Sequence, residues 1–261
     1  MDLGLTGKTA IVTGGASGIG AAVVSLLQQE QACPVIWDLQ AADASTFHDS
    51  VPQLSVDVSQ GESVEQAWQQ TVAEHGTAQI LVHCAAVGSG HLGFPWHNVP
   101  VSAWHRVLQV NILGMTHVAT VVGQAMADAK RGAMVFLSSV AGQIGSQTDP
   151  PYSASKAANI NFAQCLARDL APSGVRVNTV CPGMVRTPLN QSVWQAWANQ
   201  NPQETLSYDQ WAERKIQQLV PLGRWQKAED VASAIVFLCS DRASEITGQT
   251  LNVDGGFVMH S

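Results

Sequence analysis

The chain has 261 residues, of which 46% are hydrophobic and 13% charged, and its formal net charge at pH 7 is −7. That length fits one α/β domain, and that apolar content supports a large core, which excludes a disordered chain. The acidic balance and the scarcity of Lys and Arg argue against a nucleic-acid or anionic-membrane surface.

Five cysteines, Cys33, Cys84, Cys165, Cys181 and Cys239, are odd in number, far apart and without a Cys-x-x-Cys pair. Neither a disulfide framework nor a zinc site is expected, and a reducing cytoplasmic setting fits. The opening "MDLGLTGKTAIVTGG" lacks a charged n-region and a long apolar h-region, so no signal peptide is expected. No stretch of 18 consecutive apolar residues occurs, so no membrane span is expected.

The first β-rich run is "KTAIVTG" (8–14). "TGGASGIG" (13–20) follows it and opens a helical pattern near 19–31. Gly14, Gly18 and Gly20 allow a tight turn that approaches a pyrophosphate, and the helix N-terminus adds N–H donors and partial positive charge. The second run, "PVIWD" (34–38), ends in Asp38, 18 residues after Gly20. A carboxylate there accepts hydrogen bonds from ribose hydroxyls and repels a 2′-phosphate. Between Lys8 and Arg106 the chain has no Lys or Arg, so a 2′-phosphate finds no cation on this part of the fold. NAD is expected over NADP.

"LSVDV" (54–58) reads as the third strand, ending at Asp57, which could accept from an adenine amino group or simply cap the next element. A helical pattern near 62–75 leads to "QILVHCA" (79–85), another near 102–130 to "GAMVFLSS" (132–139), and a third near 152–171 to "GVRVNTVC" (174–181). A last helix near 228–239 precedes "QTLNVDG" (249–255). Alternation of near-continuously apolar strands with helices predicts a single doubly wound α/β domain, a seven-stranded parallel sheet covered on both faces. One connection is long: 184–222 reads as two short helices between the sixth strand and the next helix. Ligands in such sheets bind beyond the carboxyl ends of the strands, so an insertion from that edge reads as a substrate lid.

"DPPYSASKAA" (149–158) places Tyr152 and Lys156 one helical turn apart, with Pro150 and Pro151 suited to the first turn. A phenol has a pKa of about 10, and bringing it to about 7 takes about 4 kcal/mol. A cation at about 4 Å supplies roughly that at an effective dielectric of about 20. Tyr152 is therefore expected to be lowered by Lys156 and to exchange a proton with an alcohol near neutral pH.

With "TGGASGIG", "VDV" (56–58), "LQVNILG" (108–114), "FLSSVAG" (136–142), "YSASK" (152–156), "RVNTVCPGMVRT" (176–187) and "TGQTLNVDGG" (247–256), the chain resembles the short-chain dehydrogenase/reductase family over essentially its whole length. The resemblance implies an NAD-dependent enzyme that interconverts a secondary alcohol and a ketone. It gives Ser139, rather than its neighbour Ser138, the substrate oxygen, and Tyr152 the acid–base role. Lys156 would tune the phenol and bond the nicotinamide ribose, while Asn111 would hold a water in a proton relay. It places Ser17, Ile19, Val58 and Ala85 with the glycines, Asp38 and Asp57 at the cofactor, and Pro182, Gly183, Val185 and Thr187 at its nicotinamide end. It also implies a homotetramer. One departure stands out: the family's Asn-Asn-Ala-Gly after the fourth strand is His83-Cys84-Ala85-Ala86 here, which changes the hydrogen bonds and backbone freedom available there.

The substrate side is thinner. His91, Trp96, Met184 and Trp194 are the candidates, in the 91–97 loop and the lid. His91 and His97 lack a joining carboxylate, so no metal is expected. Trp194, Trp197 and Trp211 could wall a substrate or pack the lid, and Arg186 could meet an anion or stay solvated. A serine hydrolase is excluded because no Gly-x-Ser-x-Gly elbow occurs. A nucleotide-sensing protein without turnover has no use for a tuned phenol. A 3-oxoacyl-carrier reductase is the alternative within the enzyme class.

Overall fold

The computed structural model describes residues 2–43, 46–47, 51–146 and 148–259. Among them, seven strands form one parallel sheet in the order β3-β2-β1-β4-β5-β6-β7. These are β1 (Thr9–Thr13), β2 (Cys33–Asp38), β3 (Gln53–Ser55), β4 (Ile80–His83), β5 (Gly132–Leu137), β6 (Val175–Pro182) and β7 (Thr250–Val253). The order reverses between β1 and β4, the position at which such sheets open a crevice beyond their carboxyl ends.

Strand residues alternate between two cores, as the two-residue period of a strand demands. Val12, Ile36, Val82, Val135 and Val180 face helices α1 (Gly18–Gln29) and α8 (Ala228–Cys239). Ile11, Val35, Leu81, Met134 and Val177 face α2 (Gly61–His75), α4 (Gly114–Asp128) and α5 (Pro150–Leu170). Both faces being dry explains why the strands read as unbroken apolar runs.

Helix α3 (Val101–Leu108) runs into α4 through a π turn at Gln109–Leu113. The continuous helix Val101–Asp128 is long and apolar enough to cross a bilayer by length and composition. Its apolar side is instead taken up by the second core, where Met115, Val118, Val122 and Met126 are fully or almost fully buried. The long connection holds α6 (Pro188–Gln200) and α7 (Tyr208–Leu219). These two helices have a small core of their own, built on Met184, Trp211, Ala212, Ile216 and Val220.

Several strands stop short of their expected ends, β3, β4, β5 and β7 among them. β3 stops at Ser55, so Asp57 lies two residues past its end rather than on it. The cause is local: Asp57 Oδ1 accepts from the Ser59 N–H (3.0 Å) and hydroxyl (2.7 Å), and the Asp57 N–H bonds the Ser63 hydroxyl. Such side-chain bonds offer the backbone an alternative to a ladder at the sheet edge.

Candidate active site

The turn after β1 is shaped by contacts that only glycine permits. Gly14 has φ +66°, and a Cβ there would stand 2.8 Å from the Ala85 nitrogen; one on Gly20 would stand 2.1 Å from the Gly14 carbonyl oxygen. The backbone of 14–20 is thus drawn into a tight cradle at the start of α1. Ser17 is its exposed N-cap residue, with no hydroxyl bond to the helix, and Ile19 packs against the first core. Across the cradle stands Thr187, whose methyl lies 3.5 Å from where a Gly18 Cβ would be. Thr187 caps α6 by accepting from the Asn190 N–H at 3.2 Å, so the first lid helix starts over the glycine turn.

Asp38 ends β2 beside this cradle. Its Oδ2 accepts from the Ala16 N–H and its Oδ1 from the Gln40 N–H, both at 3.0 Å. It therefore fixes the glycine turn as well as presenting negative charge. Asp57 is engaged by Ser59 and does not cap the next helix, whose N-cap is Gln60, and the neighbouring Val58 is buried with its carbonyl on the His117 ring at 2.9 Å.

The departure after β4 has a structural account. His83 is 1% exposed, and its Nδ1 lies 2.9 Å from the Thr13 hydroxyl, which also accepts from the Ala85 N–H. The pair joins β1 to β4 at the crevice. Nε2 of His83 is buried without a hydrogen-bond partner. Burial, with Lys156 nearby, holds the imidazole down to about 3, so it is neutral. Ala86 needs no glycine, because among the described residues Gln31 and Lys130 are the non-glycine residues with positive φ. Burial pushes the adjacent Cys84 thiol up to about 12, which makes it inert.

Asn111 lies in the π turn and is fully buried. Its Oδ1 accepts from the Val87 N–H (2.8 Å), and its Nδ2 donates to the Val87 carbonyl (3.0 Å) and the Ser155 hydroxyl (2.9 Å). The side chain clamps the strand-4 loop to α5. Lys156 points elsewhere: its Nζ donates to the Leu137 carbonyl at 2.6 Å and sits 5.5 Å from the Tyr152 ring centroid.

Of the two serines after β5, Ser138 is buried and donates to the Lys156 carbonyl at 2.7 Å. Ser139 is half-buried, its Oγ accepts from the Ala141 N–H at 3.1 Å, and its hydroxyl is close enough to the Tyr152 phenol to favour ionisation of that phenol. The geometry thus separates a structural serine from one that faces the phenol.

The expected lowering of the Tyr152 phenol is not what this geometry gives. Burial pushes it above its ordinary range, the Ser139 hydroxyl pulls it down, and Asp149 and Cys181 oppose its ionisation. The ammonium faces the ring rather than the hydroxyl, and burial has drawn Lys156 itself down to about 8. Tyr152 therefore keeps its proton at neutral pH.

Pro182 ends β6. The next N–H, of Gly183, is held by the Gln226 Oε1 at 2.9 Å, and Val185 bridges to Gln226. Gln226 also donates to the Val253 carbonyl, which makes it the anchor of the segment expected at the nicotinamide end. Nothing in its sequence setting singled it out. Asp149 was likewise missed, although an Asp ahead of Pro-Pro is an N-cap signal.

The substrate candidates scatter. Met184 packs in the lid core. Trp194 donates to the Leu206 carbonyl at 3.3 Å and leans on Tyr208 with ring centroids 5.9 Å apart. Trp197 and Trp211 pair within the same aromatic group. Trp96 is 78% exposed, edge-on to His97, and His91 is exposed. Arg186 pairs with Asp209 at 2.6 Å and stacks over Trp225. The 91–97 loop is tied to α6 through Gln200, which donates to the Leu92 carbonyl and accepts from Asn98.

A family model described as Enoyl-(Acyl carrier protein) reductase matches residues 14–258. Over 256 residues the chain is 36% identical to cis-4-hydroxycyclohexanecarboxylate dehydrogenase of Sinomonas cyclohexanicum, covering 96% of each chain. It is 33% identical over 260 residues to the 3-oxoacyl-(acyl-carrier-protein) reductase FabG of Chlamydia trachomatis, covering 97% of this chain and 98% of the relative. The solved structure of L-sorbose reductase from Gluconobacter frateurii, complexed with NADPH and L-sorbose, is similar over 100% of both chains, with a TM-score of 0.89 and 26% identity.

Proposed function

The chain belongs to the short-chain dehydrogenase/reductase family of oxidoreductases, and from that premise we propose that it transfers a hydride between NAD(H) and a secondary alcohol or ketone, with Tyr152 carrying the proton. The observation that carries this reading is the convergence of the Ser139 hydroxyl, the Tyr152 phenol and Lys156 at the carboxyl ends of the strands, beside the glycine cradle and Asp38.

The turn fits a dinucleotide because Gly14 and Gly20 let the backbone close tightly on itself at the start of α1, whose free N–H groups and partial positive charge suit a pyrophosphate. Gly14, Ser17, Gly18, Ile19 and Gly20 would hold the pyrophosphate. Asp38 would take the adenosine ribose, with Asp57, Val58 and Ala85 along that half. Pro182, Gly183, Val185 and Thr187 would border the nicotinamide, and Lys156 its ribose. Bound NAD(H) supplies or takes up the hydride. In reduction, Ser139 donates a hydrogen bond to the carbonyl oxygen, and Tyr152 gives that oxygen its proton as the carbon receives the hydride. In oxidation, the phenolate accepts the hydroxyl proton. The neutral phenol suits the reductive step at neutral pH, whereas oxidation needs alkali.

Asp38 and the absence of Lys and Arg between Lys8 and Arg106 support NAD over NADP. The similarity to FabG favours a second reading, reduction of a 3-oxoacyl thioester. It is tested in the same assay: the purified protein is offered cyclic alcohols, polyols, hydroxy acids and a 3-oxoacyl thioester with each nicotinamide cofactor, and reduced nicotinamide is followed by absorbance. Turnover of a secondary alcohol or ketone with NAD(H) supports the proposal. Turnover of the thioester alone, with NADPH, replaces it.

A further inference from the structure

We propose that Asp149 is a positioning residue for proton transfer at Tyr152: its carboxylate caps the helix that carries the phenol, ties that helix to the Ser89 loop, and by its negative charge keeps the phenol in its proton-donating form. The inference rests on the acid–base role proposed for Tyr152.

Asp149 is 7% exposed and stands three residues before Tyr152, ahead of Pro150 and Pro151. Its Oδ1 accepts from the Tyr152 N–H at 3.4 Å and its Oδ2 from the Ser89 N–H at 2.8 Å. The Gly88 backbone presses on the same oxygen, since a Cβ on Gly88 would stand 3.1 Å from it. The carboxylate therefore joins the strand-4 loop to the first turn of α5.

A cap alone does not call for a charge. Serine or asparagine caps as well as aspartate, and a buried carboxylate costs desolvation that a neutral cap avoids. The charge is what needs an account, and the surroundings of the phenol supply one. From α5, Lys156 lies over the ring but donates to Leu137. The Ser139 hydroxyl faces the phenol from the segment after β5, and the Cys181 thiol from β6. On the strand-4 side, Ser89 and His91 act on Asp149, while Cys84 and His83 lie toward Lys156. Asp149 is the carboxylate in this set. Burial is the larger obstacle to a phenolate and the Asp149 carboxylate adds to it, so the phenol keeps its proton, which suits donation to a carbonyl oxygen.

The chain has only two tyrosines, Tyr152 and Tyr208, so Tyr208→Phe leaves one phenol whose ionisation is visible as tyrosinate absorbance in the near ultraviolet. This readout needs no substrate or turnover. Tyr208→Phe is titrated against Tyr208→Phe/Asp149→Asn and Tyr208→Phe/Asp149→Ser, with far-ultraviolet circular dichroism recorded on the same samples. The expected result is tyrosinate appearing about one pH unit or more lower in the neutral variants, ahead of unfolding. With a substrate in hand, the pH–rate profile of oxidation moves the same way. Coincident tyrosinate titrations in a folded neutral variant overturn the proposal and leave Asp149 as a cap. Lack of alcohol turnover with a shifted titration instead overturns the functional reading alone.

Discussion

His83→Asn should make the protein less sensitive to acid. His83 is 1% exposed and held down to about 3, against 6.5 for a free imidazole. Between those values the unfolded chain binds a proton that the fold refuses, so unfolding is favoured as pH falls. The contribution is fully present above pH 6.5 and is lost progressively toward pH 3. Integrating the difference gives about 2 kcal/mol lost between pH 7 and pH 5, and about 5 kcal/mol in all, at about 1.36 kcal/mol per unit. Asparagine cannot titrate, so this part of the slope disappears whatever the substitution does to stability at pH 7. The assay is urea unfolding of both proteins at pH 7, 6 and 5, at one protomer concentration because assembly adds to apparent stability. The gap between them should move by about 2 kcal/mol in favour of the variant from pH 7 to pH 5. Parallel pH dependences would show that His83 takes up its proton without unfolding, and the account of a neutral buried imidazole bridging Thr13 would fall.

Tyr152→Phe should lower turnover by about 10² to 10⁴ while NADH binding, read by fluorescence titration, survives; near-normal turnover would make the tyrosine a packing residue. NADH should bind at least about tenfold more tightly than NADPH, a gap of about 1.4 kcal/mol that Asp38→Ala narrows, and equal affinities by calorimetry would refute the assignment. Light scattering at micromolar concentration should report a tetramer with two-fold symmetric contacts, and a monomer would sink it; of the small residues on those helices Ala125, Ala157 and Ala158 are accessible for such a contact, whereas Ala119 and Ala163 are taken up by the second core.

What the sequence made legible was local in the chain. The glycine turn, Asp38 at a strand end and the paired helices of the long connection each follow from spacing within one or two elements. The end of β3 was not legible, because three short side chains, Asp57, Ser59 and Ser63, compete with the ladder for the backbone. The pairing of Thr13 with His83 was not legible either, as it joins residues 70 apart that meet only when β1 and β4 become neighbours. Gln226 spans 43 residues to reach Gly183 and belongs to the same class.

The sign of the phenol shift failed for a deeper reason. The i, i+4 spacing places an ammonium near Tyr152 but does not say where its protons go or how much water remains. At 5.5 Å from the ring centroid, a unit charge contributes about 3 kcal/mol at an effective dielectric of about 20. Withdrawing an ion from water costs several kcal/mol, and the same packing of α5 on the sheet imposes that on both groups. Lys156 bonds the Leu137 carbonyl, and burial has drawn it down to about 8. With burial opposing the phenolate and the ammonium over the ring rather than at the hydroxyl, the phenol is not brought near neutrality. The pair instead keeps a proton on Tyr152 and a positive charge on Lys156 together at neutral pH, the state that the proposed donation to a carbonyl oxygen requires.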